Sequence, residues 1–168
     1  MSFLFPVAIG LAALWGLGPD ARAQQEEQLT KAGQAGLHIL ISEHAGWNKN
    51  CEGIAHPALY LFEPPLHGKI CARIETIKIS SMFVGTVSQC IGRPVRGVRL
   101  IYRSDAAYAG DDSLRYAAQY PSVLRAVQVK VTVTANAASA VASNDIVIPT
   151  AQARQTPGPI PDCAEPIF

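Results

Sequence analysis

Four cysteines and four histidines have the most scope for chemistry here: Cys51, Cys71, Cys90 and Cys163, with His38, His44, His56 and His67. No two cysteines stand as C-x-x-C, the spacing that brings two sulfurs onto one metal or one redox centre. An even set pairs instead in an oxidising compartment, so the four are expected as structural disulfides. The histidines form no H-x-x-x-H with a glutamate between, and no metal site is expected from them. His38 alternates away from the apolar side of its segment, and His67, before Gly68, reads as a turn residue. Asp105, Asp111 and Asp112 offer hard oxygens, but they lack the D-x-D-x-D loop and following glutamate of a calcium site. Turn capping is their plainer role. Ser42 and Ser80–Ser81 lie outside any G-x-S-x-G elbow. Gly92, Gly97 and Gly110 are too widely spaced to cradle a phosphate, so no cofactor is expected. The one catalytic alternative is a small hydrolase that pairs His67 with Asp111 or Asp112.

Fourteen basic residues balance thirteen acidic ones, a net +1 over 168 residues. No run of Lys and Arg offers the basic stripe that displaces counterions from phosphates, which sets nucleic acid aside. Residues 3–18 are apolar throughout, yet shorter than the roughly 20 residues that span a bilayer. They run into Pro19-Asp20-Ala21-Arg22-Ala23, whose alanines suit a signal peptidase pocket. Residues 1–23 thus read as a cleavable signal peptide, the chain's one transient membrane contact. Removing 23 of 168 residues leaves 145, enough for one small domain in the periplasm or outside the cell.

The elements that would position these side chains are strands. Gln24 to Gly36 is polar, without an apolar face, and is expected as a mobile leader. Leu37–Ser42 and Ala58–Phe62 read as strands, with a loop from Glu43 to Pro57 between them. Ile70, Ala72 and Ile74 alternate with Lys69, Cys71, Arg73 and Glu75. Val98, Leu100 and Tyr102 alternate with Arg99, Ile101 and Arg103, and Val127, Val129, Val131 and Val133 with Gln128, Lys130, Thr132 and Thr134. A strand turns such sets to opposite sides, one toward a core and one toward water. A short helical turn is expected near Ser113 to Tyr120, and an edge strand at 144–149. The expected architecture is all-β, a two-sheet sandwich over residues 37–135. An Ala/Ser linker and a Pro-rich tail follow over 136–168, tied down through Cys163.

Two stretches resemble the cadherin-like, immunoglobulin-like modules of bacterial secreted proteins. Pro65-Leu66-His67-Gly68-Lys69-Ile70 is similar to their P-x-H-G-x-V strand opening. Residues 102–116, YRSDAAYAGDDSLRY, resemble their Y-x-P-x-x-x-F-x-G-x-D-x-F-x-Y, with Ser104, Tyr108 and Leu114 at the variant positions. The resemblance implies an immunoglobulin-like sandwich in which Tyr102, Tyr108, Leu114 and Tyr116 are plugs. Gly110 would permit a left-handed turn, and Asp112 would accept the backbone N–H groups that close it. Trp47-Asn48-Lys49-Asn50-Cys51, with Cys90-Ile91-Gly92, is also similar to a family of short exported single-domain proteins. That likeness implies Cys51 with Cys90 and leaves Cys71 for Cys163. Cys71 sits on the polar face with Lys69 and Arg73, where a returning tail would meet it. Each bridge would stabilise the fold by about 3–4 kcal/mol. Modules of this kind often stand in tandem in adhesins and bind calcium between repeats, whereas this chain carries one copy of the pattern.

The favoured reading is a non-enzymatic secreted or periplasmic module that binds a protein or envelope component. Its loops Glu43–Pro57 and Val84–Arg96 would make contact, with Trp47 as the natural contact residue and packing against a disulfide as its plainer role. A secreted inhibitor is a further alternative. Thiol titration of the denatured chain is expected to find no thiol before reduction and four after. A free thiol before reduction contradicts the paired framework.

Overall fold

The computed structural model describes residues 26–80, 88–136 and 155–163. The expected signal peptide, the expected edge strand at 144–149 and part of the loop 84–96 lie outside them. Ten strands follow in order: β1 Glu27–Gln34, β2 His38–His44, β3 Gly46–Trp47, β4 Gly53–Ile54, β5 Ala58–Glu63, β6 Gly68–Lys78, β7 Pro94–Ser104, β8 Gly110–Gln119, β9 Leu124–Thr134 and β10 Gly158–Pro159. No α-helix occurs among the described residues. One sheet runs β1-β9-β8-β5-β10, a second runs β2-β7-β6, and β3 pairs with β4.

Period-two alternation builds the core. Val127, Val129, Val131 and Val133 of β9 face Leu114, Tyr116 and Ala118 of β8 on one sheet. Ile39 and Ile41 of β2, Ile70 and Ala72 of β6, and Val98, Leu100 and Tyr102 of β7 meet them from the other. All join one buried cluster, so the two sheets share a single core.

Three expectations need correction. The stretch expected as a mobile leader, Gln24 to Gly36, holds β1, which pairs in parallel with β9 from Glu27 opposite Val127 to Gln34 opposite Thr134. An edge strand is held by main-chain hydrogen bonds and needs no apolar face of its own, which is why its polarity misled. Ser113 to Tyr120 is not helical: β8 runs to Gln119, with alternate residues in the core. Ala117 and Ala118 raise helix propensity locally, but pairing with β5 and β9 overrides it. Ile74, expected to be buried with Ile70 and Ala72, is 41% exposed. Burial resumes on the other face at Ile77 near the end of β6 and at Ile79 just beyond it.

The face that becomes covered there holds a second cluster. Ile77, Ile79 and Val95 pack with Ala45 and Cys90 under Trp47 and Cys51. By strand geometry they occupy the opposite face of the β6–β7 ribbon from Ile70 and Leu100. The β3–β4 hairpin lies over this patch, and Cys51 is bonded to Cys90 across it. Cys71 is bonded to Cys163. The bridges span 39 and 92 residues, worth about 3.9 and about 4.6 kcal/mol by the chain-entropy account. Two disulfides suit an oxidising environment.

Asp112 fastens the end of the sandwich away from this hairpin. Its carboxylate accepts from the Leu66, His67 and Ser113 N–H groups at 3.0, 2.9 and 2.8 Å, and from the Tyr102 hydroxyl at 2.9 Å. Asp112→Ala leaves these donors without their acceptor, two of them on the β5–β6 turn. The expected loss is about 3 kcal/mol in urea unfolding, and a loss under about 0.5 kcal/mol contradicts the anchoring role.

Candidate functional site

One irregularity in β2 places a polar group inside the sandwich. Alternation from Ile39 and Ile41 would turn Ser42 and His44 outward with His38. The β2–β7 register instead pairs Leu40 with Ile101 and then Ser42 with Leu100, so Ile41 is an extra residue on the strand. A bulge of this kind reverses the parity of everything after it. Ser42 and His44 therefore enter the core end, and His44 is buried.

There they meet two tyrosines from the opposite sheet. Ser42 Oγ lies 2.9 Å from His44 Nε2 and 2.8 Å from the Tyr116 hydroxyl. The Tyr116 hydroxyl is 3.0 Å from the same Nε2, and the Tyr120 hydroxyl is 3.1 Å from Nδ1. Both tyrosine rings meet the imidazole edge-on. Burial, and secondarily the charge of Arg125, draw the His44 pKa from 6.5 down to about 4. Burial likewise raises the phenols of Tyr116 and Tyr120. Ser42 and His44 stand within reach of proton transfer. An imidazole so reluctant to take a proton is a weak base, and a tyrosine occupies the place where a carboxylate would orient it.

Above this cluster lies a cavity of about 260 Å³. It is lined by Trp47 of β3, Ile54 of β4, the β8–β9 turn from Tyr120 to Val123, and Arg125 of β9. The Arg125 guanidinium sits 5.7 Å from the Tyr120 ring centre. Ile54 and Val123 on the rim are 45% and 44% exposed. The hairpin that carries Trp47 is closed by hydrogen bonds: Asn48 Oδ1 accepts from the Asn50 and Glu52 N–H groups, and the Asn48 N–H donates to the Glu52 carbonyl. Cys51 takes φ 65° there, a left-handed conformation held within the disulfide.

The residues singled out from sequence fall in three places. Trp47, Cys51 and Cys90 meet at the cavity end, where Trp47 packs on the second cluster and also lines the cavity. His67, Gly68, Gly110 and Asp112 gather at the far end. The His67 ring stacks on Tyr108 at 4.0 Å between centroids, while its backbone N–H serves Asp112. Asp111 bonds Lys130 at 3.0 Å and the Thr132 hydroxyl at 2.8 Å, and these bonds lower its pKa. Asp112 closes mainly the turn before β6, not only its own. Gly68 is required by space, since a Cβ would lie 2.6 Å from the Arg103 carbonyl and from the Tyr102 ring. Gly110 takes φ 142°, open to glycine. Cys71 and Cys163 fasten the tail at the side of the sandwich.

Ser42, His44, Tyr120 and Arg125 were not singled out by spacing. Only the bulge carries Ser42 and His44 to Tyr120, which already meets Arg125 across the β8–β9 turn, and no residue in Leu40-Ile41-Ser42 announces it. Among the described residues, no three His, Cys, Asp or Glu side chains converge as a metal-binding group. Compared with family models, curated proteins and solved structures, the chain matches none of them.

The pH dependence of His44 is testable. Its folded pKa lies below its unfolded value, so the unfolded chain binds more protons between pH 6.5 and 4. Its contribution is present above pH 6.5 and is lost as pH falls toward 4, about 3 kcal/mol in all. The stability advantage of wild type over His44→Gln, from urea unfolding, is expected to shrink by that amount between pH 7 and pH 4. An advantage that stays constant contradicts the buried neutral imidazole.

Proposed function

We propose that this protein is an immunoglobulin-like, cadherin-like module of the periplasm or extracellular space that binds a protein or envelope component and catalyses no reaction. The strand order supports the fold assignment. β2-β7-β6 and β9-β8-β5 follow the B-E-D and G-F-C orders of immunoglobulin-like sandwiches, with the β3–β4 hairpin in the B–C connection. The two disulfides support export.

The observation that carries the binding role is the open cavity where the B–C and F–G connections meet. A Trp, a Tyr and an Arg surround an apolar hollow, the residue types that dominate binding energy at interfaces. Ile54 and Val123 add exposed apolar area on a disulfide-braced support, which keeps the ordering cost of binding low. A non-enzymatic role is supported by the weak base at His44 and by the His67 ring, which is stacked on Tyr108 while Asp112 takes main-chain donors.

Photo-crosslinking tests the surface. A photoreactive side chain at Val123 is expected to capture a partner from envelope extract. The same group at Leu66, 57% exposed at the far end, is expected to capture none. Equal capture at both positions, or none at Val123, overturns the assignment.

A further inference from the structure

The segment from Gln155 to Cys163 sits on the sandwich as a strand added from outside. β10 pairs antiparallel with the edge of β5, Gly158 opposite Leu61 and Pro159 opposite Tyr60. The Ile160 N–H donates to the Leu59 carbonyl at 3.0 Å. The chain then crosses to the other sheet, where the Ala72 N–H donates to the Pro161 carbonyl at 2.8 Å and the Cys163 N–H donates to the Ala72 carbonyl at 2.9 Å. Gln155 imitates one more strand residue: its carboxamide accepts from the Ile70 N–H and donates to the Ile70 carbonyl, both at 2.8 Å. Ile160 fills a slot in the main core at 9% exposure. The segment thus closes the edges of β5 and β6 together, edges that would otherwise offer unpaired N–H and C=O groups as a template for another strand.

The hold is narrow. One large apolar side chain and a short ladder must offset the conformational freedom of nine residues, so the covalent tie is decisive. Cys71, Cys163 and Cys51 are half-buried and Cys90 is 1% exposed, so the tail bridge offers two approachable sulfurs and the hairpin bridge one. A soluble dithiol therefore has more routes to the tail bridge, which ties down a segment with few other contacts.

We propose that Gln155–Cys163 is a detachable strand latched by the Cys71–Cys163 bond, and that the trough it leaves between β5 and β6 accepts the same segment from a second copy of this chain. The tail itself shows what fits: an extended backbone with an isoleucine aimed into the core. A dithiol reductant supplies two electrons and two protons, the Cys71–Cys163 bond breaks into two thiols, and the dithiol becomes a cyclic disulfide. On reoxidation, a glutathione disulfide caps Cys163 and releases one glutathione. The Cys71 thiolate of a second copy then attacks the Cys163 sulfur and expels the other. The segment's own domain competes at an effective concentration of about 1 mM, so exchange between copies grows as protein concentration approaches that value.

The test mixes full-length chain with a copy labelled uniformly in heavy nitrogen. The mixture is partly reduced by dithiol, reoxidised with glutathione disulfide, and its cystine peptides are weighed by mass spectrometry. Mixed-label Cys71–Cys163 peptides are expected to rise at least tenfold between about 10 µM and about 1 mM protein, while Cys51–Cys90 peptides stay unmixed. Ile160→Ser in the labelled copy is expected to cut the mixed peptides that carry its Cys163. No mixed Cys71–Cys163 peptide at the higher concentration overturns the proposal, as does equal mixing in both bridges, which reports general unfolding. Hydrogen exchange on the partly reduced chain gives an independent reading. The Ile70 and Ala72 amides should exchange faster while β9 stays protected, and unchanged protection at those two amides overturns the latch.

Discussion

Side-chain parity governs this molecule. A strand sends neighbouring residues to opposite faces, so each sheet has one side committed to the core and one to water. Where parity is kept, as along β9, the result is an unbroken row of valines in the core. Where it slips, the structure acquires something new. The extra residue at Ile41 turns Ser42 and His44 inward. Along β6 and β7 the register is unbroken, and the β3–β4 hairpin covers their other face to make the second cluster. The cavity end of the sandwich combines that one slip with that covered face.

Polar groups carried inward this way must find partners, and the fold supplies them from the opposite sheet. His44 and Ser42 meet the hydroxyls of Tyr116 and Tyr120 at one end. Asp112 meets Tyr102 and the β5–β6 turn at the other. Both tie one sheet to the other with directional bonds, where the apolar core alone would tolerate sliding. The disulfides act on a different part of the problem. Each fastens a short segment to the sheets, the Trp47 hairpin in one case and the tail in the other.

The regular part of the fold was legible in the sequence. The Val127–Val133 row, the Leu100–Tyr102 strand and the polar setting of Cys71 all follow from counting in twos. β1 was hidden because parallel pairing at an edge is made by the main chain, and Glu27–Gln34 carries no apolar rhythm to report it. β8 was half-legible: the resemblance implies Leu114 and Tyr116 as plugs, while Ser113 to Tyr120 is expected as a short helical turn and is a strand. Asp112 was recognised as a capping residue, yet two of its donors lie 46 and 45 residues away, a distance that turn chemistry cannot reveal. His44 was the hardest. Continued alternation from Ile39 and Ile41 puts it in water, and only the paired register with β7 shows otherwise.

The most direct test of this dependence on parity is a proton NMR titration of the His44 ring. The bulge predicts an imidazole that titrates near pH 4 and shows cross-relaxation to the rings of Tyr116 and Tyr120. A His44 ring that titrates near its ordinary 6.5, with no contact to either tyrosine, would place it outside the sandwich and contradict the account.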